Sequence, residues 1–284
     1  FTAVNPEDSR ETIRNLMREK QLRHIPVLDE HGRIVDLKLL MDLIEPEAKP
    51  NPVVLMAGGL GTRLRPLTHD CPKPMLKVGE KPILETIIEN FVDQGFVHFY
   101  LAVNYKSHVI EDHFGDGSVF GAQITYLREE KRLGTAGALS LLPQKPELPF
   151  IVMNGDLLTK INFSHLIDFH EENEAMGTMC VRQYDMKVPY GVVNVQDHKV
   201  LGLQEKPVHS FFVNAGIYVL NPPALDFITP EDFFDMTDLF QAMVNDGQTT
   251  SAFPIREYWI DVGQMSDYEQ ANGEYCRYFE QGED

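Results

Sequence analysis

The sequence predicts an α/β fold: a mixed, mostly parallel sheet with helices on both faces. Three observations carry this. "VVLM", Val53 to Met56, is a short continuous apolar run that opens into the glycine-rich turn "AGGLG", the pattern of a strand buried on both faces. From there to Leu158, apolar runs of strand length alternate with helix-period segments. Such alternation asks for parallel strands joined by crossover helices. After Asp185 it gives way to "YGVVNVQDHKVLGLQEKP" and "FFVNAGIYVL", an antiparallel hairpin and a further strand, which makes the sheet mixed.

The elements follow in order. "DSRETIRNLMREK" sets Asp8 three residues before Glu11, a capping-box spacing, and lines Ile13, Leu16 and Met17 along one helical face. "RHIPVLDEHGRIVDL" reads as a strand, a turn at Asp29–Gly32 and a second strand, and "LKLLMDLIE" as a short closing helix. With a strand before the first helix, the order is strand, helix, strand, strand, helix. On these residues the segment resembles one CBS repeat, a module that works in pairs and often binds adenine nucleotides. The resemblance implies a partial CBS domain over residues 1–46, through which a homo-oligomer can form. Asp36 stands where that family has glycine. Leu39, three residues before Asp42, stands where it has Ser or Thr before the ribose-binding acid. Both departures, and the missing second repeat, argue against nucleotide binding by this remnant. "PEAKPNP" has three prolines and marks a linker over residues 47–52, with the larger domain expected over 53–284. There "ILETIIENFVDQG" puts Ile83, Leu84, Ile87, Ile88 and Phe91 on one helical face and stops at Gly95. "FVHFYLAVN" is a strand, "SHVIEDHF" a short helix, "AQITYLRE" a strand, "TAGALSLL" the start of a helix, and "PFIVMNGDLL" a strand running into polar residues.

Composition narrows the function classes. The chain has 284 residues, 43 acidic against 25 basic, and a formal net charge of -18. A chain this acidic is a poor general binder of nucleic acid or anionic membrane, so any anionic ligand must be gripped by a few local cations. Three cysteines without close spacing, Cys71, Cys180 and Cys276, read as a reducing, cytoplasmic setting without a disulfide framework. No apolar run has the length of a membrane span and no signal peptide opens the chain. The first residue is Phe1, which reads as a fragment of something longer.

In an open parallel sheet, ligands sit at the carboxyl ends of the strands, and "AGGLGTRLRP" falls there. Gly58, Gly59 and Gly61 permit tight turning and close backbone approach, so that successive N–H groups can ring a phosphate. The P-loop pattern is absent, and the dinucleotide fingerprint fails because Leu64 stands where its third glycine belongs. What remains is a glycine loop with two cations. Arg63 can fork onto two phosphate oxygens, and Lys73, held between Pro72 and Pro74, is a point charge. Arg65 is the rival cation.

"GGLGTRLRPLTHDCPKP" resembles the signature of the sugar-phosphate nucleotidyltransferases, the sugar-nucleotide pyrophosphorylases. "LGTAGAL", "NGDLL", "YGVV", "QEKP", "NAGIYVL" and "WIDVG" follow in that family's order, and the resemblance covers Pro52 to the C-terminus. It implies a Rossmann-like, glycosyltransferase-A-like sandwich. The implied reaction joins a nucleoside triphosphate to a sugar 1-phosphate and releases pyrophosphate, by direct attack and with Mg2+. Phosphoryl chemistry of this kind is mainly positioning and electrostatics. By the resemblance, Arg63 and Lys73 carry catalysis. The nucleotide lies against Leu55, Ala57, Gly58, Gly59, Gly61, Thr62, Glu129, Gly134 and Thr135. Asn154, Gly155, Tyr190, Gly191, Glu205, Lys206 and Asn214 hold the sugar phosphate, and Asp156 and Asp261 hold the metal. An isolated Asp at a strand end is more commonly a cap, a Glu–Lys neighbour pair more commonly a solvated hairpin edge, and Asn214 has an ordinary turn role as its alternative. Asp70 and Asp116 read as turn residues. His165 and His170 read as polar-face residues of one helix.

The base is read from "LREEKRLGTAGAL". An ionised carboxylate only accepts hydrogen bonds. Guanine offers it two adjacent donors, whereas thymine and uracil offer one N–H between two carbonyls. Glu129, five residues before Gly134, therefore favours GTP, with surface charge as the alternative for Glu129 and Glu130. Gly134 is expected to let the base approach the backbone. "LGTAG" also resembles the mannose-1-phosphate guanylyltransferase branch. Two other readings stand beside this one: the same chemistry with dTTP, UTP or CTP, and a regulatory subunit that binds a nucleotide sugar without turning it over.

Overall fold

The computed structural model describes residues 2–8, 10–29, 31–40 and 48–280. The chain divides into two compact units, Phe1–Lys49 with Asp93–Gly95, and Pro50–Val92 with Phe96–Asp284.

In the small unit, helix α1 (Arg10–Glu19) buries Ile13 and Met17 against Val4, Ile25 and Val27, with Leu16 partly covered. Strands β1 (His24–Leu28) and β2 (Ile34–Leu39) pair antiparallel. Gly32 turns between them at φ 74, a left-handed conformation that suits glycine. Two expectations change here. The strand before α1 is reduced to one bridge between Val4 and Val27. Asp8 Oδ2 accepts the Asn5 N–H at 2.7 Å, and the capping box with Glu11, which needs the Glu11 side chain, lies outside the described residues. The closing helix cannot begin at Leu37, because residues 37–39 pair with Pro26, Ile25 and His24 of β1. Its remainder from Met41, with Asp42, lies outside the described residues. Asp36 is inside β2, paired with Lys38 at 2.6 Å.

The large unit is built on a seven-stranded sheet. Its strands are β3 (Val53–Met56), β6 (His98–Val103), β7 (Gln123–Arg128), β8 (Phe150–Asn154), β10 (Gly177–Lys187), β13 (Val208–Leu220) and β14 (Thr250–Pro254). The order is β14-β10-β13-β8-β3-β6-β7. Only β13 runs against its neighbours, so the sheet is mixed and mostly parallel, as the alternation predicts. Four short strands form two separate pairs: β4 (Lys77–Val78) with β5 (Lys81–Pro82), and β9 (Leu157–Thr159) with β15 (Trp259–Asp261). β11 (Val192–Gln196) and β12 (Lys199–Gln204) make the expected hairpin.

Both faces of the sheet are covered, and the strand residues alternate between two cores. Val53, Leu55, Leu101, Ile151, Met153, Ile217 and Val219 face α2 (Ile83–Val92), α3 (Ser107–Phe114), α5 (Phe163–Glu172) and α7 (Met265–Tyr275). Val54, Ala102, Phe150, Val152, Tyr218 and Leu220 face α6 (Met236–Asn245) and the turn α4 (Gly134–Gly137). Phe91, Phe96 and Phe163 meet in the first core, Phe91 stacked on Phe163 at 3.7 Å and the others edge-on. "TAGALSLL" supplies only that one turn of α-helix and a 3-10 turn over Ala138–Leu141. His165 is exposed as expected, but His170 is not on a polar face. It is fully buried, with Nδ1 2.8 Å from Thr178 Oγ1. Among the described residues no helix is long and apolar enough to cross a membrane.

Candidate active site

β3 and β8 are parallel neighbours whose carboxyl ends stop at Met56 and Asn154, so the glycine loop and the "NGD" turn lie side by side. Glycine is required where they touch. A Cβ on Gly155 would lie 2.9 Å from the Met56 carbonyl oxygen. One on Gly58 would lie 2.7 Å from Glu129 Oε1 and 3.2 Å from Asn104 Cβ. Gly61, at φ 61, is crowded by Thr68 and Lys73. Gly59 is different, since a Cβ there would meet nothing within 4 Å. Its glycine is not demanded by the chain's own packing, and the space above it is open.

Two cavities flank Gly59. The first, about 250 Å³, is lined by Met56, Gly58, Glu129, Thr135, Asn154, Phe233 and Asp235 among others. The second, about 260 Å³, is lined by Gly61, Thr62, Arg63, Lys73 and Gly263. Gly59, Arg132 and Asp156 line both. Arg65 lines neither, which separates it from Arg63.

The second cavity holds the charges. β15 pairs with β9 so that Asp261 faces Leu157, and Val262 N–H donates to the Asp156 carbonyl at 3.1 Å. This ladder brings the two aspartates together from distant parts of the chain. Lys73, only 8% exposed, ion-pairs with Asp156 and stands 3.7 Å from Asp261 Oδ1. Burial pushes the Asp261 carboxyl up, and the neighbouring Asp156 charge adds to the shift against opposition from Lys73 and Arg63. Asp156 Oδ1 is buried and accepts no hydrogen bond among the described residues. Arg63 is exposed and makes no ion pair among the described residues.

The first cavity is walled by a segment the sequence reading overlooked. Asp235 Oδ1 accepts from the Thr135 N–H at 3.0 Å and from its hydroxyl at 3.3 Å. The Ala136 and Gly137 N–H groups donate to the Phe234 carbonyl. Phe233 is 59% exposed, an aromatic ring lining the cavity. On the opposite strand end, Glu129 is half-buried and its Oε2 accepts the Leu133 N–H at 3.0 Å. Burial raises its carboxyl above the ordinary value, against the lowering effect of that hydrogen bond and of Arg132.

Most sequence-assigned residues meet here: Gly58, Gly59, Glu129, Gly134, Thr135, Asn154 and Asp156 at the first cavity, and Gly61, Thr62, Arg63 and Lys73 at the second. Gly155 sits in the floor between β3 and β8. Asp261 borders the second cavity through its contact with Lys73 and its nearness to Gly263. Leu55 and Ala57 line neither cavity. Both are fully buried, and the Ala57 N–H is spent on the Ala102 carbonyl. The alternation of the strand gives the cavity Met56 instead. Gly134 borders the first cavity, but the reason for glycine is internal: at φ 80, a Cβ would lie 2.6 Å from the Phe234 carbonyl oxygen. Asn214 is engaged in a strand-end turn, donating to Tyr218 Oη at 2.7 Å and accepting the Gly216 N–H at 2.9 Å. Tyr190, Gly191, Glu205 and Lys206 gather with one another at the base of the β11–β12 hairpin and line neither cavity. A Cβ on Gly191 would lie 3.1 Å from Glu205 Oε2, and Lys206 Nζ is 3.6 Å from Glu205 Oε1. Arg132 lies two residues before Gly134 in a stretch already read for the base, so its charge was visible in the sequence. Phe233 carries no local signal.

Residues 52–277 match the nucleotidyl transferase family model, and residues 1–37 match the CBS domain model. The mannose-1-phosphate guanyltransferase of Schizosaccharomyces pombe is 38% identical over 224 residues, 76% of this chain and 61% of that protein. The UTP–glucose-1-phosphate uridylyltransferase of Synechocystis is 33% identical over 238 residues, 77% of this chain and 61% of that protein. The chain thus spans about three fifths of the length of these curated relatives. Among solved structures, HddC from Yersinia pseudotuberculosis complexed with GMP-PN aligns at TM-score 0.63 and 27% identity, over 79% of this chain and 99% of that one. A glucose-1-phosphate thymidylyltransferase described as putative, from Bacillus anthracis, shares the fold at TM-score 0.65 and 21% identity, over 82% of this chain and 97% of that one.

Proposed function

The chain belongs to the nucleotidyl transferase family, and from that membership we propose that it joins GTP to a sugar 1-phosphate, giving a GDP-sugar and pyrophosphate. The observation that carries the reading is the pair of cavities sharing Gly59, Arg132 and Asp156. A nucleoside triphosphate has two parts of different chemistry, and the two compartments differ in the same sense. Phe233 and Glu129 border the first, which takes the base. Arg63, Lys73 and the open backbone of Gly59 border the second, which takes the phosphates.

The reaction needs no covalent intermediate with the protein. An oxygen of the sugar phosphate attacks the α-phosphorus. The bond from that phosphorus to the bridging oxygen breaks, and pyrophosphate leaves with the electron pair. Arg63 forks onto the departing phosphates, Arg132 meets the chain of phosphates where it passes between the cavities, and Lys73 supplies a fixed charge beneath them. Asp156 and Asp261 suit Mg2+, which binds through one or two carboxylates plus substrate phosphates. The unpartnered buried oxygen of Asp156 is a free ligand for it. Bound there, the ion would neutralise charge on the triphosphate. Tyr190, Gly191, Glu205 and Lys206 supply the sugar side.

Glu129, when ionised, accepts the two adjacent donors of guanine and repels the carbonyls of uracil and thymine. The guanyltransferase relatives and the GMP-PN complex of HddC support the same base. The uridylyltransferase relative favours UTP as the second reading. Incubation with GTP labelled at the α-phosphorus and a panel of sugar 1-phosphates, beginning with mannose 1-phosphate, separates the outcomes. The label should move into a nucleotide sugar. Label appearing only in GMP, or staying in GTP throughout, would refute the proposal.

A further inference from the structure

The turn after β6 reaches into the segment between the two cations. Thr68, His69 and Asp70 lie on the stretch of chain that joins Arg63 to Lys73. Thr68 is 1% exposed, and its hydroxyl donates to the Gly61 carbonyl at 2.8 Å. Its Cγ2 lies 2.9 Å from where a Cβ of Gly61 would stand, so the glycine loop rests directly on this side chain. The next contacts come from Tyr105 and Lys106, which follow β6 and precede α3. The Tyr105 hydroxyl donates to the His69 carbonyl at 3.2 Å and lies 3.4 Å from the Thr68 carbonyl. Lys106 Nζ donates to the same His69 carbonyl at 2.5 Å and stands 3.3 Å from Asp70 Oδ1. The Asp70 side chain is fully exposed, so that ion pair contributes little. The charged hydrogen bond to the backbone is the stronger tie. Lys106 Nζ also stands 5.5 Å from the centre of the Tyr105 ring, within cation–π reach.

The turn that carries these two side chains is itself anchored. Asn104 Nδ2 donates to the Glu129 carbonyl at 2.8 Å, which ties it to the end of β7. The Val109 N–H donates to the Lys106 carbonyl at 3.0 Å, which ties it to the first turn of α3. Lys106 stands at φ 52, a left-handed conformation uncommon for a residue other than glycine. Such a residue persists where its surroundings hold it, and here its side chain is held by residues 69 and 70. Neither Tyr105 nor Lys106 lines either cavity, so both act on a bound ligand only through the loop they grip. We propose that Tyr105 and Lys106 are positioning residues for the phosphate compartment. They fix residues 68–70, and through Thr68 the glycine loop, so that Arg63 and Lys73 keep their places at the two ends of the gripped segment. The effect on turnover rests on the functional reading above; the grip on the loop does not.

Glycine adopts a left-handed backbone without strain, so Lys106→Gly removes the side chain and keeps the turn. Tyr105→Phe removes the second tie, and Lys106→Arg keeps a charged donor. Two measurements on the full chain test the proposal: amide hydrogen exchange of the free protein, and pyrophosphate release with GTP, Mg2+ and a sugar 1-phosphate that the wild type accepts. In Lys106→Gly the Leu64, Arg65 and His69 amides, which close turns within the loop, should exchange faster, while those of β3 exchange as in the wild type. Its kcat should fall by roughly 10- to 100-fold, the scale of a small misplacement of reacting groups, with KM for the sugar phosphate unchanged. Tyr105→Phe should show the same pattern more weakly, and Lys106→Arg should stay near the wild type. Unchanged loop exchange in Lys106→Gly, faster exchange that extends through β3, or faster loop exchange with full kcat would each overturn the proposal. A wild type that turns over no sugar phosphate refutes the functional reading instead, and the exchange pattern then decides by itself whether the turn holds the loop.

Discussion

Arg63 and Lys73 carry the same charge in the same cavity but meet different surroundings. Lys73 is buried between Asp156 and Asp261, whereas Arg63 is exposed and unpaired among the described residues. Removing Arg63 therefore tests chemistry without disturbing the fold. Arg63→Ala should lower kcat/KM by about 100- to 1,000-fold, roughly 3–4 kcal/mol, with an unchanged Tm, read by steady-state kinetics and thermal denaturation. Glu129 is the complementary case. Its carboxyl is held above the ordinary range by burial, so the folded state binds its proton more tightly than the unfolded state does. The sign follows: stability from this group is present below the ordinary carboxylate value and is lost as pH rises through the raised one. Glu129→Gln removes that loss, so the Tm of the free protein at neutral pH should stay level or rise. Its preference for GTP over UTP should fall by roughly tenfold or more, as when a charged hydrogen-bond partner worth about 1.5–3 kcal/mol is removed. A variant with intact GTP preference would remove Glu129 from base recognition.

At the scale of elements, the site depends on a junction between α4 and the segment leading into α6. Gly134 stands there at φ 80 with the Phe234 carbonyl in the direction of its missing Cβ. Gly134→Ala should destabilise the protein by about 1–3 kcal/mol, the scale of a strained backbone position, and should weaken nucleotide binding because Thr135 and Asp235 form the wall. Differential scanning calorimetry and nucleotide titration read the two effects. α5 contributes a second test. Burial lowers the His170 imidazole below its ordinary value, so the unfolded chain takes up the proton first as pH falls. Stability should be full above pH about 6.5 and decline below it. His170→Gln should flatten this part of the Tm-against-pH curve, whatever its effect at neutral pH. An unchanged slope would assign the acid loss to other groups.

Element by element, the sequence is informative wherever the signal is local. The strand run "VVLM", the glycine turn and the helix over Ile83–Val92 follow from apolar period and turn chemistry, and the structure forms them. The choice between Leu55 and Met56 needs the strand's facing, which the run of four apolar residues does not display because both faces are buried. His170 looks polar by residue type but lies on the inner side of α5, where Thr178 gives it a partner. Phe233 and Asp235 were illegible for another reason: they reach the cavity from far along the chain, through hydrogen bonds to backbone groups of residues 133–137.

For the whole molecule, an acidic chain of net charge -18 concentrates its useful cations at one edge of one sheet. Arg63, Lys73 and Arg132 line a single cavity beside two aspartates, and under the proposed function that local inversion of charge is what receives the triphosphate. The measurement that tests this account most directly is pyrophosphate release across a matrix of nucleoside triphosphates and sugar 1-phosphates, with and without Mg2+. The account predicts Mg2+-dependent release that is fastest with GTP and one sugar phosphate. Release that is fastest with UTP or dTTP would contradict the reading of Glu129. No release with any pair, while GTP still binds, would contradict the enzymatic function itself.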